Sequence, residues 1–215
     1  MKKIAVVLSG NGFLDGSEIH EATLTLLAIA EQEAQYQCFA PNHNQAHVVN
    51  HHTGDEMPEI RNVMVEAARI ARGNIKPLST FNVADFDALI FPGGYGAAKN
   101  LCTFAFDGTD CVVIPEVEKV IKDTVQAGKP IGSLCVSPVM MVKVLGDITV
   151  TIGDDDKTAE AVISMGGKHI KTTHGEIVVD EKNKIITTPC YMLDASIDQV
   201  ATGIRKLVKK LLEMT

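Results

Sequence analysis

The chain has 215 residues, enough for one large domain with its own apolar core and rather short for two. No apolar run reaches the ~20 residues that a membrane-spanning helix needs, because charged residues or glycine interrupt every candidate. A net charge of −7 argues against nucleic acid and anionic membranes as partners, since both bind clustered Lys and Arg.

The first half of the chain alternates strands with helices. The residue pattern predicts strands at 3–9, 35–40 and 87–91, and helices at 17–33 and 59–72. The first strand is a continuous apolar run of the kind that is buried on both faces of a sheet. In the first helix Ser17 is the expected N-cap, and apolar residues follow it at helical spacing.

The second half continues the alternation. A helix is predicted at 114–128, with Pro115 near its first position and Gly128 at its end. The later predicted elements are a short helix from Cys135 to about 145, a strand at 147–152, a helix capped by Asp154 or Asp155 and ending at Gly166, two strands within 177–188 that are joined at Lys182 and Asn183, and a helix at 195–213.

This alternation implies a mostly parallel sheet that is covered by helices on both faces. In such sheets ligands bind beyond the carboxyl ends of the strands. Three separate stretches are predicted to meet at that edge: the loop from Ser9 to Glu21, the glycine turn at 92–96, and Cys135.

The stretch at 41–58, PNHNQAHVVNHHTGDEMP, fits no element of the alternation and is predicted to be an excursion. It carries four of the seven histidines, His43, His47, His51 and His52. Histidine is a common metal ligand, so a metal site is one interpretation. The second is a polar loop with a small hairpin around 47–49, which we favour because nearby Pro and Gly argue against a helix that would align the imidazoles.

The five cysteines have no CxxC pair and are odd in number, which is typical of free thiols in a reducing compartment. We therefore expect a cytoplasmic protein. Only Cys135 is placed where chemistry is expected, because a strand ends and a helix begins around it in GKPIGSLCVSP. For Cys38, Cys102, Cys111 and Cys190 we favour a role as small buried residues.

Cys135 is a candidate nucleophile. A helix N-terminus lowers the pKa of a thiol, and the Val136 amide is placed to donate to an oxyanion. Gly93 and Gly94 can supply a second amide, since no Cβ blocks a ligand there. The alternative is that Cys135 is only a buried core residue that ends a strand.

A thiolate needs a partner, and Glu18 and Glu21 begin the helix at the same predicted edge. Their i, i+3 spacing places them on one helix face, so one or both are candidates to point at Cys135. Alternatively, they are only acids that the helix N-terminus favours.

Three motifs in this order, GSEIHE at 16–21, FPGGYG at 91–96 and LCVSP at 134–138, resemble the PfpI-like branch of the class I glutamine amidotransferase-like superfamily. The whole chain is more similar to its ElbB-like group, described as enhancing lycopene biosynthesis or isoprenoid biosynthesis proteins with an amidotransferase-like domain. PNHNQAHVVNHHTG, EAARIARG and KIITTPCYML carry that closer similarity.

The resemblance implies a single PfpI-like domain over 1–215 with a flavodoxin-like α/β fold, a three-layer sandwich, commonly assembled as a homodimer. By motif position, Cys135 corresponds to the nucleophile and Glu21 to the glutamate that contacts its sulfur. Gly94, beside Gly93, and Val136 correspond to the oxyanion amides. The superfamily includes cofactor-independent glyoxalases, and the ElbB-like group is associated with weak activity on glyoxal.

The chain departs from the family pattern in its histidines. Many relatives carry a His after the strand that follows the elbow helix, but TVTIGDDDK at 149–157 has none. HGE at 174–176 mimics the HxE of true glutamine amidotransferases, yet about twenty residues separate it from the last helix, so we interpret it as a chance match. Glu21 is then left as the general acid and base, which requires burial to raise its pKa.

The expected function is therefore weak, cofactor-independent conversion of glyoxal, a small dicarbonyl, to glycolate, with a link to isoprenoid biosynthesis by resemblance. No metal or other cofactor is expected. The alternative is a non-catalytic, dimeric regulatory or redox-responsive protein with the same fold. Glutamine hydrolysis is disfavoured, because it needs His174 beside Cys135.

Overall fold

Apolar strands form the centre of the computed structural model, which describes residues 1–215. The nine strands are β1 (Lys3–Val7), β2 (Gln35–Ala40), β3 (Ile75–Pro77), β4 (Ala88–Phe91), β5 (Ile131–Leu134), β6 (Thr149–Val150), β7 (Lys168–His169), β8 (Val178–Asp180) and β9 (Ile185–Thr188). The seven α-helices are α1 (Ile19–Glu31), α2 (Val63–Ile70), α3 (Phe104–Asp107), α4 (Pro115–Gln126), α5 (Pro138–Leu145), α6 (Asp156–Ser164) and α7 (Ile197–Glu213).

Seven strands form one sheet in the order β3-β2-β1-β4-β5-β9-β8, and β6 pairs with β7 in a separate two-stranded sheet. All pairs in the large sheet are parallel except β8 with β9, which forms the predicted hairpin. The mostly parallel sheet of the flavodoxin-like prediction is thereby confirmed. No helix is both long enough and apolar enough to cross a membrane.

Helices cover both faces of the sheet because the strands are apolar on both sides. In β1, Ile4 and Val6 belong to a buried cluster shared with α1, α2 and α7. The alternate residues Ala5 and Val7 belong to a second cluster shared with α4, α5 and α6. This period of two places successive side chains in opposite cores and produces the three layers.

Several element boundaries differ from the predicted ones. Ser17 does not cap α1, because its hydroxyl accepts the Ser9 amide at 2.8 Å, and Glu18 is the N-cap instead. The helix predicted at 59–72 begins at Val63, capped by Asn62. Residues 59–62 of the predicted helix continue the excursion instead, and the Gln45 amide donates to the Arg61 carbonyl at 2.8 Å there.

Short strands account for the remaining differences. β3 and β7 have three and two residues, too few to produce a period in the sequence. Of the strand predicted at 147–152, only the two residues of β6 form a strand. The N-cap of α6 is Asp155, one of the two predicted caps.

The excursion lies against the loop that follows β1. It carries two antiparallel bridges, Asn44 with Asn62 and Val49 with Glu56. The Met57 amide donates to the Val48 carbonyl at 2.8 Å beside the second bridge, which is the small hairpin predicted around 47–49. The Val49 amide donates to Asp15 at 2.7 Å, and the Leu14 amide donates to His51 at 3.2 Å. The excursion therefore supports the loop that leads into α1.

Packing of α7 on the sheet generates a stability prediction. Leu207 is fully buried, and a Cβ added at Gly132 of β5 would lie 2.8 Å from it. Leu207→Ala leaves a cavity against β5 and is expected to lower the free energy of unfolding by about 2–5 kcal/mol, measured by urea denaturation. The control Lys209→Ala, on the exposed face of the same helix, is expected to change it by less than about 0.5 kcal/mol. Equal effects of the two substitutions would contradict this account of the core.

Candidate active site

Cys135 lies on a tight turn between β5 and α5. Its φ of 57° is in the left-handed region, which costs a non-glycine residue energy and is typical of functional positions. The turn is held by hydrogen bonds on both sides. The Cys135 amide donates to the Thr188 carbonyl at 3.0 Å, and the Ser137 hydroxyl donates to the Pro92 carbonyl at 2.8 Å. The predicted strand-to-helix elbow is therefore present.

Glu21 is completely buried beside Cys135. One carboxyl oxygen accepts the Gly93 amide at 2.9 Å, and the other accepts the Tyr191 amide at 3.3 Å. The carboxyl also lies beside the Cys135 thiol, since a Cβ added at Gly93 would be 2.6 Å from a Glu21 oxygen and 3.0 Å from the Cys135 sulfur. Of the two predicted acids, Glu21 reaches the thiol, whereas Glu18 caps α1 by accepting the Glu21 amide at 2.7 Å.

Gly93 leaves the space that this contact requires. A Cβ at this position would lie 2.3 Å from the Cys135 Cβ and 2.6 Å from the Glu21 carboxyl oxygen. Its neighbour Gly94 has a φ of 95°, which favours glycine and turns its amide toward the sulfur. The Val136 amide lies close enough to the same sulfur to favour its ionised form. The turn residues predicted as oxyanion donors are thus gathered around Cys135.

Burial controls the acidity of both groups. Desolvation, followed by the nearby Glu18 charge, raises the pKa of Glu21 to about 8 from an ordinary value of 4.5. Desolvation, followed by the Glu21 charge, also raises the pKa of Cys135, while the Gly94 and Val136 amides oppose that rise. The expectation that the helix N-terminus lowers the Cys135 pKa is wrong, because two amides do not offset burial and an adjacent carboxylate.

The pair therefore holds its protons at neutral pH. A protonated Glu21 is a hydrogen-bond donor to sulfur, and it removes the negative charge that disfavours a thiolate there. Loss of one proton leaves a single negative charge shared by sulfur and carboxyl, with the Gly94 and Val136 amides on the sulfur side. This is the arrangement of a nucleophile with its own acid and base.

Cys135 lies at the base of a cavity of about 220 Å³. Most of the residues around the cavity are apolar. They are Phe13, Glu18, Gly94, Tyr95, Ala98, Phe104, Ala105, Cys135, Val136, Thr158, Tyr191 and Met192. The space suits a compact substrate with few atoms.

No histidine lines this cavity. His174 Nε2 lies 2.9 Å from the Asp194 carbonyl oxygen, and Glu176 accepts the Thr173 amide at 2.6 Å, so HGE forms no triad with Cys135. His20 Nδ1 lies 2.8 Å from the Tyr191 hydroxyl and reaches the site only through that residue. In the excursion, His47 packs edge-on against Phe106. No group of three His, Cys, Asp or Glu side chains has the geometry of a metal site.

Two residues of the site, Tyr191 and Cys190, were not predicted from the sequence. Tyr191 supplies the second amide to Glu21, and a backbone amide in a turn leaves no residue signature. Cys190, interpreted from the sequence as an ordinary buried cysteine, lies within reach of Cys135. Burial, then the charges of Glu21 and Cys135, raises the pKa of the Cys190 thiol. Its φ of 46° is again left-handed.

The sheet is mostly parallel, Cys135 lies on a strained turn, and a glutamate from α1 lies beside its sulfur. These features and the relatives below place the chain in the class I glutamine amidotransferase-like superfamily, in its DJ-1/PfpI branch. No protein-family model matches the chain. A human protein, glutamine amidotransferase-like class 1 domain-containing protein 3, is 47% identical over 223 residues, which cover 99% of this chain and 83% of the human one. The chain belongs to the family of that protein.

Solved structures agree with this assignment. The isoprenoid biosynthesis protein with an amidotransferase-like domain from Ehrlichia chaffeensis has a TM-score of 0.92 and 36% identity, covering 99% of this chain and 100% of its own. The predicted ElbB-like relationship is thus confirmed. Glyoxalase III from Candida albicans has the same fold, with a TM-score of 0.66 over 99% of this chain and 97% of its own, at 14% identity.

The expected cytoplasmic location is wrong by the same comparison, because the human relative is a mitochondrial protein. The physical reason is that free thiols indicate only a reducing compartment. Cysteine usage therefore does not separate the cytoplasm from any other reducing compartment.

The Glu21–Cys135 contact predicts how the thiol ionises. Glu21→Gln removes the carboxylate charge that raises the Cys135 pKa, so the pH midpoint of Cys135 alkylation by iodoacetamide is expected to move to lower pH. The rate is measured by mass spectrometry of the Cys135 peptide. Glu116→Gln, an exposed acid on α4, is the matched control and is expected to leave the midpoint unchanged. A midpoint that stays constant or rises in Glu21→Gln would refute the coupling.

The same shift makes stability depend on pH. The pKa of Glu21 is about 8 in the folded chain and about 4.5 in the unfolded chain. The stabilisation of the folded state by the protonated carboxyl is therefore complete below pH 4.5 and is lost as the pH rises through 8. The free energy of unfolding of Glu21→Gln, relative to the wild type, is therefore expected to increase between about pH 5 and about pH 9. Urea titrations of both proteins measure this difference. A difference that is independent of pH contradicts the raised pKa.

Proposed function

We propose that the chain is a weak, cofactor-independent glyoxalase that converts glyoxal and water to glycolate. The observation that carries the proposal is the position of the buried Glu21 carboxyl beside the Cys135 sulfur, with both groups packed against Gly93. It joins a nucleophile to an acid and base with a pKa of about 8, close to the pH at which such a group works best.

The first step is attack of the Cys135 sulfur on one aldehyde carbon of glyoxal. The sulfur reacts as the thiolate of the pair that has lost one proton. A carbon–sulfur bond forms, the carbonyl π electrons move to oxygen, and that oxygen takes the Glu21 carboxyl proton, which leaves a hemithioacetal and the Glu21 carboxylate. The oxyanion forms beside the sulfur, where the Gly94 and Val136 amides point. Donors that are fixed before the reaction stabilise such charge without reorganisation.

Glu21 then moves a proton between the two carbons. Its carboxylate removes the hydrogen from the sulfur-bearing carbon, which gives an enediolate, and the resulting acid returns a proton to the second carbon. The product is a hydroxyacetyl thioester on Cys135. No electron acceptor is needed, because one carbon is oxidised as the other is reduced.

Water completes the reaction. It adds to the thioester carbonyl, the carbon–sulfur bond breaks, and glycolate leaves while the thiol regains its proton. A cavity of about 220 Å³ accommodates glyoxal, which has four heavy atoms. The apolar wall limits access of water during the earlier steps.

Relatives support the same class of function. A glyoxalase III shares the fold, and a structure at 36% identity is described as an isoprenoid biosynthesis protein, so we include a link to that pathway in the proposal. We also propose one domain over 1–215 that acts as a homodimer. The non-catalytic alternative is motivated by the missing histidine, and a Cys135 of low pKa would favour its redox-responsive form. Burial moves the pKa of Cys135 in the opposite direction.

Substitution of either central group tests the proposal. Cys135→Ala removes the nucleophile, and Glu21→Gln removes the base, so each is expected to reduce glycolate formation at least ~10²-fold. Glycolate is measured by NMR after incubation with glyoxal. The matched controls are Cys38→Ala, a buried cysteine of β2, and Glu116→Gln, and both are expected to retain activity. Full activity in Cys135→Ala would overturn the proposal.

A further inference from the structure

Two other cysteines lie against each other outside the Cys135 site. Residues 101–103 run antiparallel to 112–114, with Cys102 paired to Val113. The Ile114 amide donates to the Leu101 carbonyl at 3.0 Å, which fixes that register. The register makes Cys111 the diagonal neighbour of Cys102 on the same face. The two side chains are close enough for each to shift the pKa of the other.

The two thiols differ in their surroundings. Both residues are only 1% exposed, but the Cys102 sulfur faces the interior and donates to the Ala97 carbonyl at 3.4 Å. Cys111 borders a surface cavity that Lys143 also lines, and the Lys143 ammonium donates to the Thr109 carbonyl at 2.9 Å. Cys111 is therefore the thiol nearer to a route from solvent and nearer to a positive charge.

The same contacts give the two thiols different pKa values. The neighbouring Cys102 thiol, and to a smaller extent the Lys143 charge, lowers the pKa of Cys111 to about 7 against the opposing effect of burial. The neighbouring Cys111 and then burial raise the pKa of Cys102. A thiolate with a neighbouring thiol is the arrangement required for disulfide exchange.

We propose that Cys102 and Cys111 are a reactive thiol pair, converted to an intramolecular disulfide by small disulfides of the glutathione type. The Cys111 thiolate attacks one sulfur of the small disulfide, which forms a mixed disulfide on Cys111, and the other half of the small disulfide leaves as a thiolate. Cys102 then attacks the Cys111 sulfur of the mixed disulfide, loses its proton and releases the second thiol. The protein loses two electrons, and the small disulfide gains them.

The pair spans the segment that forms one wall of the main cavity. Residues 103–110 lie between the two cysteines and include α3, from which Phe104 and Ala105 line the cavity at Cys135. A bridge between Cys102 and Cys111 therefore closes this segment into a covalent loop. The pair does not depend on the proposed glyoxalase chemistry, since neither thiol lines that cavity.

Mass spectrometry of the intact chain tests the pair. The reduced protein is incubated with glutathione disulfide at neutral pH, then alkylated in urea so that buried thiols react, and digested with trypsin. Cleavage after Lys99 and Lys119 gives a peptide, 100–119, with these two cysteines and no others. We expect this peptide to be two hydrogens lighter and unalkylated, and to recover both alkylation sites after dithiothreitol. The Cys38 peptide of the same sample is the internal control and should stay alkylated.

Single variants assign the two roles. In Cys102→Ser the mixed disulfide has no resolving thiol, so a glutathione adduct is expected to accumulate on Cys111. In Cys111→Ser, Cys102 is expected to remain unmodified. Urea midpoints near the wild-type value show that both variants are folded. The proposal is overturned if the wild type keeps both thiols alkylated, if it retains a glutathione adduct without a bridge, or if Cys111 in Cys102→Ser does not react.

Discussion

The buried carboxyl of Glu21 is the interaction on which the site depends. It accepts one amide from the turn after β4, one from the turn after β9, and contacts the sulfur of the elbow after β5. Three strand ends are therefore fixed relative to one another by a single side chain from α1. Each of the three turns is strained or glycine-dependent, and a common partner is what holds them in register.

This arrangement has an electrostatic consequence. Two hydrogen bonds from amides do not compensate for complete removal of a carboxylate from water, so Glu21 keeps its proton to higher pH. The same burial opposes ionisation of Cys135. The site thus holds a thiol and a carboxyl in one mostly apolar cavity without an imidazole, and in the proposed reaction proton transfer through the carboxyl replaces the role that histidine has elsewhere. Modest reactivity is the expected result of a thiol that ionises with difficulty.

Much of the fold was predictable because its signals are local and repeated. Continuous apolar strands, caps and the alternation of strand with helix gave the parallel sheet, and the rule for strand ends brought Glu21, the 92–96 turn and Cys135 to one edge. The boundaries were less predictable. Ser17 has the residue type of an N-cap, yet tertiary contact with Ser9 occupies its hydroxyl.

What the sequence could not provide were contacts between distant parts of the chain. Cys190 has no local motif, and its position beside Cys135 follows only from the pairing of β9 with β5. Cys102 and Cys111 looked like unrelated buried residues, because their proximity depends on an irregular antiparallel segment too short to produce a strand pattern. The acidity of Cys135 was misjudged for a similar reason, since burial is a property of the assembled core.

The most direct test of the central claim is the reaction of glyoxal with the purified protein in deuterated water, followed by NMR of the product. A carboxyl that moves a proton between the carbons exchanges with solvent, so the account predicts glycolate that carries deuterium on its hydroxymethyl carbon. The same product should be missing from the Cys135→Ala protein. Glycolate without deuterium at that carbon, or no glycolate from the wild-type protein, would contradict the account.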